Sequence, residues 1–367
     1  MYVDDARISS LCRAVADLAS EPGQGVMILL AEEGAPDLEA LVAALATLEV
    51  PFFGGVFPGL IDGGTQRKRG AVLMALPLLH PPVLVERLDA PLPEQVGEQS
   101  PGHATVPRPT ALLFVDGLST HTSAWMRSVY AQLGTAVTYL GGGAGSLSFQ
   151  PTPCLFTQDG VTCCGAVMAL TSLATSVGVQ HGWARMAGPH LATRTDRNQV
   201  SELNWRPAAE VYAEAIGHRV DRERFFDTAK AHPFGIRREG QEDVVRDPLS
   251  IDDTGSLVCA GEVPQNAVLH ILEGAPDALV AAAGAAAKEA SAGHEGRVHG
   301  ALVIDCISRT LFLQDRLGEE LQAICRYLPS GARAEGALTL GEIGSRGESI
   351  VEWMNKTVVV GVLHADD

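Results

Sequence analysis

Phe52–Leu60 reads FFGGVFPGL, and Tyr139–Leu147 reads YLGGGAGSL. Their paired glycines, Gly54-Gly55 and Gly141-Gly142, stand 87 residues apart (141 − 54). The flanks agree too. An apolar run precedes each stretch, Val26–Ala31 (VMILLA) and Ala111–Val115 (ALLFV). Another follows each, Gly70–Leu76 (GAVLMAL) and Gly165–Leu170 (GAVMAL). A looser third copy lies near the C-terminal end: Ala301–Cys306 (ALVIDC), the glycine-bearing Ala337–Gly344 (ALTLGEIG) and Thr357–Leu363 (TVVVGVL). Repetition in fixed order marks one supersecondary unit used several times. The unit reads as strand, helix, strand ending in a Gly-rich turn, then a further strand. A design of this kind favours a ligand site over any one reaction.

The chain has 367 residues, enough for two domains. Hydrophobic residues make up 46% and aromatics only 5%, so Ala, Val and Leu must fill the core. A formal charge of −17 repels phosphate backbones and anionic lipid, which argues against nucleic acid and membrane surfaces as partners. The start, MYVDDARISS, has neither the basic nor the apolar region of a signal peptide. No apolar run approaches the roughly 20 residues of a membrane span. Seven cysteines without paired spacing predict free thiols and a cytoplasmic protein.

Apolar spacing predicts helices over 6–19, 36–48, 123–133, 207–216, 276–292 and 317–328. Strands are expected at 26–31, 50–53, 70–76, 83–88, 111–115, 137–140, 154–156, 165–172 and 301–305. Residues 91–109, with five prolines, read as a loop or linker. Residues 175–201 look irregular, and 244–245, 257–260 and 268–272 read as an antiparallel layer. The fold class is therefore α/β, or mixed α+β: repeated strand-helix-strand units in two layered domains, with sheets covered by helices. The expected division is 1–205, holding duplicated units at about 20–90 and 108–175, and 206–367.

Several short motifs follow one another in a set order. They are Asp116-Gly117, Gly141-Gly142-Gly143-Ala144-Gly145, His181-Gly182-Trp183, Thr193, and Pro207-Ala208 ahead of Tyr212. After them come Arg246-Asp247-Pro248, Gly255-Ser256-Leu257, Asp305-Cys306-Ile307-Ser308-Arg309, Gly341-Glu342-Ile343, and Asn355 with Thr357. In that order they resemble the FIST family (F-box and intracellular signal transduction), with its N-terminal and C-terminal modules. The resemblance implies a sensory protein that binds a small ligand, an amino acid or similar metabolite. It would signal through a separate partner such as a histidine kinase or cyclic-nucleotide enzyme. Some stand-alone members look like heme-binding nitric-oxide sensors of the NosP type. Two departures from the family pattern, Ser146-Leu147 and Val56-Phe57-Pro58, weaken the expectation of a strongly polar or cationic ligand.

Candidate site residues follow from their chemistry. A strand ending in Gly141, Gly142, Gly143 and Gly145 exposes N–H groups that suit a carboxylate or phosphate. The same glycines also suit a tight packing turn. Asp116, at a strand end, receives an ammonium or caps the next helix, a job open equally to Ser119 or Thr120. Asp305 ends its strand likewise. Cys306 beside it, with Arg309 near, suits a lowered thiol pKa, and equally a small buried apolar residue. Arg246 and Arg309 are candidate ion-pair partners for Glu342. His181, with Gly182 leaving room and Trp183 as a wall, is the candidate heme ligand. Arg185 and Arg194 would serve its propionates, and His190 is the second choice.

No zinc spacing is present, and Cys163-Cys164 on a strand would face opposite sides. Gly145-Ser146-Leu147 lacks the second glycine of a nucleophile elbow. His121, His232, His294 and His299 read as surface residues. The leading expectation is a non-enzymatic ligand sensor with no certain cofactor. The alternatives are a heme sensor using His181 and a cysteine-dependent enzyme using Cys306, with Arg309 holding an anionic substrate.

Overall fold

A computed structural model describes residues 1–19, 21–98, 108–218, 220–292, 296–345 and 351–365. His294 and residues 99–107 of the expected linker at 91–109 lie outside them, and Glu94–Glu98 within that stretch forms a short helix rather than loop. The repeat unit is real and occurs three times. In the first, strands Gln24–Ala31 and Phe52–Phe57 run parallel around helix Leu38–Ala46, and Ala71–Pro77 returns antiparallel. The second uses Thr110–Asp116, helix Thr122–Leu133, Thr138–Ala144 and Ala166–Thr171. The third uses Arg297–Cys306, helices Ile307–Leu313 and Leu317–Tyr327, Ala334–Thr339 and Val358–Ala365. The class is mixed α+β, as expected.

The registers align the copies. Ile28 lies opposite Gly54, Leu113 opposite Gly141 and Val303 opposite Gly336. At each of these glycines a Cβ would stand 1.8 Å from the carbonyl oxygen of the facing residue. Close approach of two backbones, not a turn, is what glycine provides here. The third copy's key glycine is thus Gly336, one residue ahead of the run Ala337–Gly344 picked out by the repeat pattern.

Each sheet is completed by a hairpin from another unit. Leu155–Thr157, of the second unit, pairs beside Phe52–Phe57 of the first. Glu342–Gly344, of the third, pairs beside Thr138–Ala144 of the second. Gly59–Asp62, of the first, pairs beside Ala334–Thr339 of the third. The exchange therefore closes into a ring. Short leader strands, Tyr2–Val3, Val83–Val85 and Ala174–Gln180, cover the other edges. Three six-stranded sheets of the same order result.

A fourth, antiparallel sheet is inserted between Ala174–Gln180 and Arg297–Cys306. Its long strand Ala184–Asp196 and its neighbour Gln199–Leu203 occupy the stretch that looked irregular. Register shifts near Ala187, His190 and Arg194 break the two-residue alternation that would have announced them. Helix Pro276–Ala292 then lies on Ala174–Gln180. A Cβ at Gly178 would stand 1.9 Å from Ala286 O, so the Ala-rich face follows from close packing.

Gly336→Ala should lower stability by about 3 kcal/mol or more, because a parallel-strand carbonyl must move. Gly318→Ala, in open space on a helix, should raise it by about 0.5 kcal/mol. Urea midpoints of the two variants check the contrast.

Candidate functional site

A cavity of about 130 Å³, open on one side, lies where the second unit, the third unit and the inserted sheet meet. Its walls are the loop Gly117–Ser119, the strand end Cys306–Ser308, Asp247, the segment Cys259–Gly261, and Trp353 with Asn355. Several of the quoted motifs converge here. Asp247 is 2% exposed. Its Oδ2 accepts from Ser308 Oγ and lies 3.1 Å from Lys356 Nζ, while Oδ1 has no partner among the described residues. Burial, opposed by Lys356, raises its carboxyl above the ordinary range. Asn355 donates to Ala260 O at 3.4 Å, and its Oδ1 is likewise unpartnered. Trp353 Nε1 donates to the same carbonyl at 3.2 Å. Two buried acceptors thus lie in residues that wall a largely apolar space.

Lys356 is fully buried, donates from Nζ to Lys230 O at 2.9 Å, and stands 5.0 Å over the Trp183 ring. Sequence reasoning passed over Asp247, Ser308, Asn355 and Lys356 as site residues. A signal existed: Asn355-Lys356-Thr357 runs directly into the apolar strand Val358–Ala365.

Cys306 lines the cavity but is 3% exposed. Burial and then Glu342 push its thiol well above the usual range, the reverse of activation. Glu342 is fully buried. It accepts from Thr357 N at 3.1 Å and Thr339 Oγ1 at 3.2 Å and hydrogen-bonds the Cys306 thiol. Burial outweighs those bonds and raises it to about 8. No ion pair joins it to Arg246 or Arg309. The repeat supplies a comparison. Cys306 occupies the register position of Ala31 and Asp116, and Glu342 that of Leu60 and Leu155.

The other candidates serve the scaffold. All five Arg309 N–H groups are spent, on Glu320 and on the carbonyls of His181, Lys356 and Leu279. An anionic substrate finds no donor there. Asp305 Oδ1 is 3.3 Å from Arg309 Nε, yet that hydrogen goes to Glu320, and burial raises the Asp305 carboxyl strongly. Arg246 ties down the carbonyls of Glu262, Val245 and Trp353, and burial lowers it to about 10. It borders a wider cleft of about 420 Å³ across Trp353. Carboxylates there are paired, Glu262 with Arg127, Glu352 with Arg238 and Asp243 with Arg185.

Asp116 accepts from Leu118 N on one oxygen and from Cys164 N on the other, both at 2.9 Å, so it braces two turns. Gly141–Gly143 lie within strand Thr138–Ala144. Gly143 N donates to Gly341 O and Gly145 N to Val56 O, so no open anion nest forms.

His181 has no heme slot beside it. A Cβ at Gly182 would meet Ala278 O at 2.7 Å, so helix Pro276–Ala292 fills the expected space. The Trp183 ring packs on Phe312, and the Trp183 backbone N–H donates to His181 Nδ1. His181 Nε2 lies 3.8 Å from Glu242. Arg185 and Arg194 are held by Asp243 and Glu202, and His190 by Asn204. His121 and His232 are half-buried rather than exposed, and His299 is exposed.

Fold and cavity together define a mixed α+β protein of fused repeats with a largely apolar pocket at their junction. The chain belongs to the FIST family: the FIST N domain matches residues 24–206 and the FIST C domain 208–345. No curated protein matches it. FIST domains are associated with signal transduction and small-ligand sensing. No helix among the described residues is long and apolar enough to cross a membrane.

Because Glu342 binds its proton more tightly folded than unfolded, stability should fall as pH rises from about 4.5 to about 8. The slope from this group is at most about 1.4 kcal/mol per pH unit. Glu342→Gln keeps an acceptor for Thr357 N and should flatten that part of the curve. Urea unfolding at several pH values reads it.

Proposed function

We propose that this chain is a cytoplasmic sensor whose small ligand occupies the 130 Å³ cavity. The reading is carried by the two buried, unpartnered acceptors Asp247 Oδ1 and Asn355 Oδ1 in its wall. Buried acceptors call for donors. A compact ligand with an ammonium or amide group and a short apolar body answers both the oxygens and the lining. An amino acid or similar metabolite has that chemistry. The signal passes to a separate partner, for which a histidine kinase or cyclic-nucleotide enzyme is the expected kind.

Thermal-shift screening of small amines and amino acids should find a compound that raises Tm. Asn355→Ala should weaken its binding about tenfold relative to the unaltered chain. If no such compound raises Tm, the reading fails.

The same geometry supports binding without catalysis, since the Cys306 thiol is raised and Arg309 is occupied. Under iodoacetamide at neutral pH, the exposed Cys163 and Cys164 should react first. Cys306 should be at least about tenfold slower. Preferential alkylation of Cys306, followed by mass spectrometry, would restore the enzyme alternative.

A further inference from the structure

Of the seven cysteines, Cys163 and Cys164 are the two exposed ones, and they are adjacent. On a strand they would point apart. Strand Gly160–Thr162 ends before them, however, and Cys164 has φ +62°, so they share a turn and their thiols hydrogen-bond. That backbone conformation is uncommon outside glycine. It is held from three sides. Thr162 Oγ1 donates to Cys163 O at 2.8 Å, Leu88 N donates to Cys164 O at 3.1 Å, and Cys164 N donates to Asp116 Oδ2 at 2.9 Å. The other oxygen of Asp116 accepts from Leu118 N at 2.9 Å, and Gly117 and Leu118 line the cavity. One carboxylate therefore links the dithiol turn to the cavity wall.

We propose that Cys163 and Cys164 form a dithiol site for a soft trivalent metalloid of the arsenous type, and that Asp116 transmits its occupation to the cavity wall. Soft sulfur ligands select soft centres. Two S–As bonds form as two As–O bonds break, and the two thiol protons leave on the released oxygen as water, any third As–O bond staying in place. No electron is transferred, and no other reactant is needed. Burial and the neighbouring Cys163 and Asp116 raise the Cys164 thiol.

Phenylarsine oxide added to the full chain tests the site by intact mass. One adduct per chain is expected, formed with loss of one water and protecting two thiols from iodoacetamide. It should vanish in Cys163→Ser and in Cys164→Ser, both exposed positions, and persist in Cys12→Ser. No adduct, or one that survives the first two variants, overturns the site. The link rests on the cavity reading and is read separately, by hydrogen exchange at the Leu118 amide. A severalfold change on adduct formation is expected, and unchanged exchange overturns the link. Neither measurement uses a cavity ligand, so a failed ligand screen leaves the dithiol result standing.

Discussion

Closure of the three exchanged hairpins is the constraint on which the structure rests. Each sheet borrows two strands: Leu155–Thr162 supplies the first, the hairpin Glu342–Gly344 with Glu352–Met354 the second, and Gly59–Arg67 the third. Without its donor, each sheet would expose the edge of Phe52–Phe57, Thr138–Ala144 or Ala334–Thr339, all buried strands. The glycines opposite Ile28, Leu113 and Val303 let the parallel pairs approach closely enough for the ring to shut. The FIST N and FIST C matches meet at 206–208, yet strand pairing crosses that point in several places.

The ring also contains its own comparison. The fold position of Cys306 is filled by Ala31 in the first unit, and that of Glu342 by Leu60 and Leu155. Apolar residues thus satisfy the Glu342 position in both other units, while the Cys306 position takes Ala31 in one and Asp116 in the other. The third unit instead buries Glu342, Cys306, Asp305 and Arg309, groups whose desolvation is costly. Packing alone gives no reason for that choice. The inserted sheet is spliced into this same unit and brings Asp247 against Ser308 and Lys356. Polar residues and insertion are two parts of one departure from threefold likeness.

Much of this was legible in the chain. The 54/141 spacing marked the repeat, because a close backbone approach tolerates little but glycine. The helices over 276–292 and 317–327 followed from apolar spacing. The hairpin exchange was not legible, since strand alternation says which face is buried but not whose neighbour it meets. The third glycine was misplaced for a related reason. Gly341 and Gly344 look like the repeat, but the register assigns the role to Gly336. Among site residues, Cys306 was reached by its place at a strand end. Asp116 and Gly141–Gly145 were also placed at strand ends, where the backbone turned out to use their hydrogen-bonding capacity itself. Asp247 and Asn355 are brought together only by the insertion, over more than a hundred residues of chain.

The cavity's position decides how it could act on a partner. A ligand shifts an equilibrium only by its differential affinity for two arrangements. A pocket within one sheet would have one arrangement to prefer. This one takes a wall from the loop after Thr110–Asp116, another from the start of helix Ile307–Leu313, and a third from the inserted sheet. Trp353 joins them, since its hairpin is third-unit chain paired to the second unit and its indole bonds Ala260 of the insertion. A donor placed between Asp247 and Asn355 would therefore tie the insertion to the ring.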